Sequence, residues 1–170
     1  MKSIFILCLI FSFSVAHAET IFSLRDWSAA KDVTTALGEK GCVAETMFTD
    51  ENQNNWYLQV VKLKTQEGDY SSPVVMAFPE TSTKTEYFEG SAKSDRPGTL
   101  EFSMTLFQPE GQAVNPVGSR LSDKVEMLRR ISKDNKFNVK FLSKTTVVKE
   151  IPYSLSGSSK TISTMDSTCK

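Results

Sequence analysis

Chemistry in a chain of this size has to come from a few side-chain types, and the sequence supplies three sets that could act together. The first is a carboxylate pair, Glu86 and Glu89 around Tyr87-Phe88. Two acidic groups brought together in space can serve as acid and base on a glycoside. The second is a serine–lysine combination, Ser156 or Ser158 with Lys160, and the third is a cysteine pair, Cys42 and Cys169. Neither of the first two has a diagnostic spacing, and acidic residues on strands and turns ordinarily form the wet face.

Histidine chemistry is excluded by position. The only histidine, His17, lies in a segment with the features of a secretory leader: Lys2, an apolar run from Ile4 to Phe11, and the small-x-small site Ala16-His17-Ala18. Such a segment is removed on export, and its apolar core is shorter than the roughly 20 residues a bilayer span needs. The expected division is a signal peptide over 1–18 and one β-rich domain over 19–170, with no transmembrane anchor after cleavage and a periplasmic or secreted location. The mature chain would lack histidine, so Ser-His-Asp, Cys-His and His-ligated metal arrangements are unavailable to it. No P-loop and no glycine-rich dinucleotide turn occurs either. No cofactor is expected.

Removing the leader leaves 19 basic against 20 acidic groups. This balance does not suit nucleic acid, which needs a clustered basic face. The densest basic stretch, Arg129-Arg130 with Lys133, is matched by Asp123, Glu126 and Asp134 and reads as a solvated helix end. Cys42 and Cys169 in an oxidising compartment read as one disulfide, because redox or metal work would want a CxxC pair or nearby histidines.

The elements that must position these groups are mostly strands. Thr20–Leu24, Cys42–Phe48 and Trp56–Lys64 are rich in β-formers, and Asp50–Asn55 is a polar hairpin loop. Val74–Pro79, bounded by prolines, suits a short buried or edge strand. Thr81–Lys84 reads as a loop, Thr85–Glu89 as a strand and Ser94–Gly98 as a turn. Leu100, Phe102, Met104 and Leu106 alternate with Glu101, Ser103 and Thr105 as a half-buried strand does. Phe137, Val139 and Phe141 alternate as well, and Thr145–Leu155 continues as a strand.

Helical spacing is found in three places. Ser28–Gly38 has apolar positions three or four apart and predicts one or two turns. After a loop spanning Pro109–Gly118, Leu121, Val125, Leu128 and Ile131 mark an internal helix, and Leu155, Ile162, Met165 and Cys169 mark a short terminal one. The fold expected is mainly β: a sandwich or open barrel of about seven or more antiparallel strands, with one internal helix and a short C-terminal helix. Exposed aromatics are the candidate ligand contacts, namely Trp27, Trp56, Tyr57, Tyr70, Tyr87 and Tyr153.

The order Trp27, Gly41-Cys42-Val43-Ala44-Glu45-Thr46, Trp56-Tyr57-Leu58-Gln59-Val60, then Ile151-Pro152-Tyr153-Ser154-Leu155-Ser156-Gly157, Ile162 and Cys169 resembles the bacterial invasion-associated locus B family. The likeness covers both ends of the mature chain and little of its middle. It implies an exported β-sandwich of a Gram-negative envelope, without catalytic residues, sometimes linked to entry into host cells. It also implies that Cys42 and Cys169 are bonded. Two function classes follow: a non-catalytic protein that binds a protein or cell-surface component, and, as the alternative, a carboxylate-dependent glycan hydrolase of the cell envelope.

Overall fold

The computed structural model describes residues 18–34, 40–79, 86–107, 115–119, 124–143 and 146–170. The leader expected over 1–18, all but its last residue, and the loop expected over 81–84 lie outside the described residues. The chain forms β1 (Glu19–Leu24), β2 (Trp27–Thr34), β3 (Lys40–Thr49), β4 (Asn55–Leu63) and β5 (Val74–Pro79), paired in that order as one antiparallel sheet. A second antiparallel sheet holds β6 (Glu86–Ser94), β7 (Leu100–Phe107), β8 (Asn115–Ser119), β9 (Lys136–Ser143) and β10 (Thr146–Ser154), in the order β10-β9-β6-β7-β8. Helix α1 (Lys124–Lys133) joins β8 to β9, and α2 (Ser158–Thr168) follows β10. The two sheets pack into a sandwich that does not close into a barrel.

The first sheet is a run of hairpins set by local chemistry. Asp50 organises the β3–β4 connection: one carboxylate oxygen accepts the Asn52 and Asn54 N–H groups, each at 2.9 Å, and the other accepts the Trp56 indole N–H at 3.2 Å. Lys149 of β10 lies 3.0 Å from the same carboxylate and so ties the second sheet to this turn. Burial alone would raise the Asp50 carboxyl, but these donors prevail and hold it well below the usual carboxylate range.

Two expectations are corrected here. Ser28–Thr34 is strand, not helix. Between Ala30 and Val33 the register with β3 shifts, and Asp32 takes φ 57°; this bulge breaks the two-residue alternation and mimics helical spacing. The expected loop Pro109–Gly118 likewise ends in strand, because Asn115–Ser119 pairs with β7. Pro116 is accommodated there at a sheet edge, where one face of the ladder makes no demand on its missing N–H.

The cluster read as a solvated helix end also differs. Arg130 is only 6% exposed. Its guanidinium donates to the carbonyls of Gly98 at 2.9 Å and Pro97 at 3.0 Å, and to Glu126 at 2.9 Å. It therefore clamps the β6–β7 turn onto α1. Beside it Arg96 donates to Asp134 at 2.6 Å, and the Asp95 carboxylate accepts the Asn135 N–H.

One apolar cluster unites both sheets and both helices. It takes Trp27, Ala29, Cys42, Ala44, Leu58, Val60, Val75 and Ala77 from the first sheet, and Ala92, Phe137, Val139, Phe141, Ile151 and Tyr153 from the second. The Trp56 and Phe141 rings meet across the gap with centroids 4.9 Å apart. Helix α2 covers the β1–β3 end of the same face through Ile162 and Met165. The bond Cys42–Cys169, with Cα atoms 6.5 Å apart, fastens its end to β3, as the sequence predicts. Gly157 makes the entry to α2 possible: it holds φ 97°, and a Cβ there would collide with the Leu24 carbonyl.

Candidate binding surface

Register assigns each strand residue to a face, since side chains directly opposite one another share it. The core-facing ladders of the first sheet include Ala29–Ala44–Val60–Val75. The ladders between them face away from the second sheet. These are Ala30–Val43–Val61–Val74, Ser28–Glu45–Gln59–Met76 and Met47–Tyr57. Val43 and Val61 are buried yet stand outside the core cluster. Ala30, Tyr57, Val74 and Met76 are half-buried, and Met47 is 50% exposed. This outer face is therefore predominantly apolar.

One carboxylate sits in its midst. The Glu45 side chain accepts from the Gln59 amide at 2.6 Å, and burial pushes its carboxyl up against the opposing effect of that bond. Around this acid the most exposed of the described apolar side chains is Met47, while Val43 and Val61 are buried and Tyr57 and Met76 also pack against the core cluster.

The outer ladders of the second sheet differ in kind: Ser91–Lys140–Glu150 and Lys93–Asn138–Pro152. Lys140 and Glu150 form an ion pair at 3.4 Å, both substantially exposed.

The expected aromatic contacts divide. Trp27, Trp56 and Tyr153, expected at the surface, are core side chains, with exposures of 1%, 8% and 2%. Trp27 donates its indole N–H to the Ser154 carbonyl at 3.0 Å, and Tyr153 donates its hydroxyl to the Tyr57 carbonyl at 3.1 Å. Burial drives the Tyr153 phenol up, so it stays a donor. Tyr70 is half-buried beside the Lys64↔Tyr70 bridge. Among the expected aromatics whose side chains are described, Tyr57 falls on the outward ladder opposite Met47, half-buried and also packed against the core cluster. Tyr87 pairs through its backbone with Thr105; its side chain, like those of Glu86 and Glu89, lies outside the described ones.

The serine–lysine pairing is not formed. The Ser158 hydroxyl is buried and donates to the Ile131 carbonyl at 2.6 Å, while the Ser156 hydroxyl accepts from Arg25 at 3.0 Å. Three carboxylates elsewhere are answered by cations: Glu19 by Lys31, Glu126 by Arg129 and Arg130, and Asp166 by Lys62. Among the described residues no group of three metal-binding side chains is found, and no helix is long and apolar enough to cross a membrane.

Sequence reasoning passed over Val43, Glu45, Met47, Gln59 and Val61. The signal was present in Val60-Val61 and in Cys42-Val43-Ala44, where apolar residues run consecutively instead of alternating. That is the mark of a strand with two apolar faces. No family model, curated protein or solved structure matches the chain.

Proposed function

We propose that this is an exported, non-catalytic protein of the bacterial envelope or its surroundings, which binds a protein or cell-surface component through the outer face of its first sheet. The observation that carries the reading is the half-exposed Met47 with the half-buried Ala30, Val74 and Met76 on the outward ladders of the same sheet. The resemblance to the invasion-associated locus B family and the leader-like first 18 residues support export. The bonded cysteine pair agrees with an oxidising compartment. The glycan hydrolase remains the alternative; it needs one carboxyl protonated and another ionised across a cleft, and its candidates Glu86 and Glu89 have side chains outside the described ones.

The test is crosslinking in intact cells followed by mass spectrometry, run in parallel on the natural protein and on Met47→Lys. A reproducible envelope partner captured by the natural protein and lost in the variant is expected. Capture of the same partner in equal yield by Met47→Lys would overturn the assignment to this face.

A further inference from the structure

Helix α2 is a weak helix by composition. Seven of its eleven residues are Ser or Thr, whose hydroxyls compete with helical hydrogen bonds, and a helix of that length does not persist alone in water. Its N-cap, Gly157, has no side-chain capping bond, and its last turn has no basic residue of its own. Its position must come from what it is packed against. At its start the buried Ser158 hydroxyl donates to the Ile131 carbonyl, and in its middle Ile162 and Met165 enter the core.

The far end is held by a charge from the sheet. Lys62 of β4 stands directly opposite Cys42 of β3, and opposed residues share a face, so the lysine runs on the core side, where its ammonium needs partners. The Lys62 side chain is only 12% exposed. It donates to Asp166 Oδ1 at 3.0 Å and to the Cys169 carbonyl at 2.7 Å, both at the end of α2. This cation supplies the positive charge that the negative end of the helix lacks. One side chain thus fixes both cysteines, Cys42 through strand register and Cys169 through a hydrogen bond.

We propose that Lys62 is a positioning residue for closure of the Cys42–Cys169 bond: it docks the end of α2 while both cysteines are still thiols, so the bond locks an arrangement already reached. The chemistry is thiol–disulfide exchange. With glutathione disulfide as oxidant, one cysteine forms a mixed disulfide and releases one glutathione thiol. The thiolate of the other cysteine then attacks the protein sulfur of that adduct, the bond to glutathione breaks, and the second glutathione leaves as a thiolate and takes up a proton. In sum two cysteine thiols give up two electrons and two protons, and one glutathione disulfide becomes two glutathione thiols. Docking acts on the second step, where two sulfurs of one chain must meet.

The experiment reduces the full chain carrying Cys8→Ser, which leaves Cys42 and Cys169 as its thiols, and adds glutathione disulfide in native buffer. Acid quenching and mass spectrometry separate the adduct from the closed ring. With Lys62 present the adduct is expected to close without accumulating. Lys62→Met should slow the closing step by about tenfold, the order expected for a lost charge-assisted bond, while Lys62→Arg, which keeps the charge, stays close to the natural rate. In concentrated urea all three should close alike. Asp166→Asn removes the charge of one of the two acceptors and should slow closure by less, which keeps the test open if reduced Lys62→Met does not fold. A second readout removes the sulfur: with Cys42→Ser and Cys169→Ser together, amides in the last turn of α2 should stay protected from exchange. Adding Lys62→Met should expose them while β3 and β4 amides remain slow. A closing rate that neither Lys62→Met nor Asp166→Asn changes overturns the proposal, as does a slowing that persists undiminished in urea. So does a sulfur-free chain in which the end of α2 is unprotected with Lys62 in place, since the bond would then be what places the helix.

Discussion

The two sheets share a core but treat their outward faces in opposite ways. The second sheet answers water with Lys93, Asn138, Lys140 and Glu150, whereas the outward ladders of the first hold the exposed Met47, the half-buried Met76 and the buried Val43 and Val61 around one acid. Their fastenings differ too. The first sheet is held from its core side by α2 and a covalent bond from β3; the second is held at its β6–β7 turn by the guanidinium of Arg130. A sandwich needs only one apolar face per sheet, and the first sheet carries a second one.

The largest way to break the comparison is to cut the covalent fastening. Cys42→Ser and Cys169→Ser should each lower stability in urea by about 2–5 kcal/mol, and by equal amounts within error. Unequal losses would mean that one sulfur contributes beyond the bond. Next comes the polar fastening: Arg130→Met leaves the Pro97 and Gly98 carbonyls without their donor and should cost about 1–3 kcal/mol. An unchanged denaturation midpoint would show that the β6–β7 turn holds without it.

The faces can then be set against each other directly. Val61→Ala should lose about 1 kcal/mol, because it removes buried methyl groups, while Lys93→Ala on the second sheet should stay within about 0.5 kcal/mol of the natural protein. Equal small effects would remove the distinction.

The subtlest difference is in pH. Hydrogen bonds from Arg129 and Arg130 draw the Glu126 carboxyl down to about 2, so its contribution is complete above the ordinary value of 4.5 and is lost as pH falls toward about 2. Glu45 has the opposite sign. Burial raises its carboxyl above the ordinary 4.5, so the folded state holds that proton more tightly and stability declines as pH rises through the interval above 4.5. Urea midpoints against pH should therefore show Glu126→Gln converging on the natural protein toward low pH, and Glu45→Gln without the natural protein's decline on the way to neutrality. Parallel profiles for both variants would contradict the two environments.

Much of the architecture was legible where the apolar pattern is regular. Leu100 to Phe107 alternates, and β7 forms there; α1 forms over Lys124–Lys133 as the helical spacing predicts, but Val125, expected on its apolar face, is 82% exposed, and Met127 with Ile131 meets the core instead. The cysteine pairing was legible from compartment and composition. Legibility failed where a backbone irregularity or a tertiary partner intervened. The bulge at Lys31-Asp32 made β2 resemble a helix, and edge placement made Pro116 compatible with β8. Burial of Arg130 depends on two carbonyls 32 and 33 positions away, which no local pattern carries. The aromatic residues misled for a related reason: Trp27 and Tyr153 each have a polar tip, and the carbonyls of Ser154 and Tyr57 satisfy those tips inside the protein. Size and amphipathicity alone do not distinguish a core aromatic with a satisfied tip from one at the surface.

The covalent ring between Cys42 and Cys169 spans 127 positions. During synthesis the thiol of Cys42 has no native partner until 127 further positions have followed it. A message truncated between codons 42 and 169 yields a protein in which Cys42 carries an unmatched sulfhydryl, open to capture by any other thiol it meets.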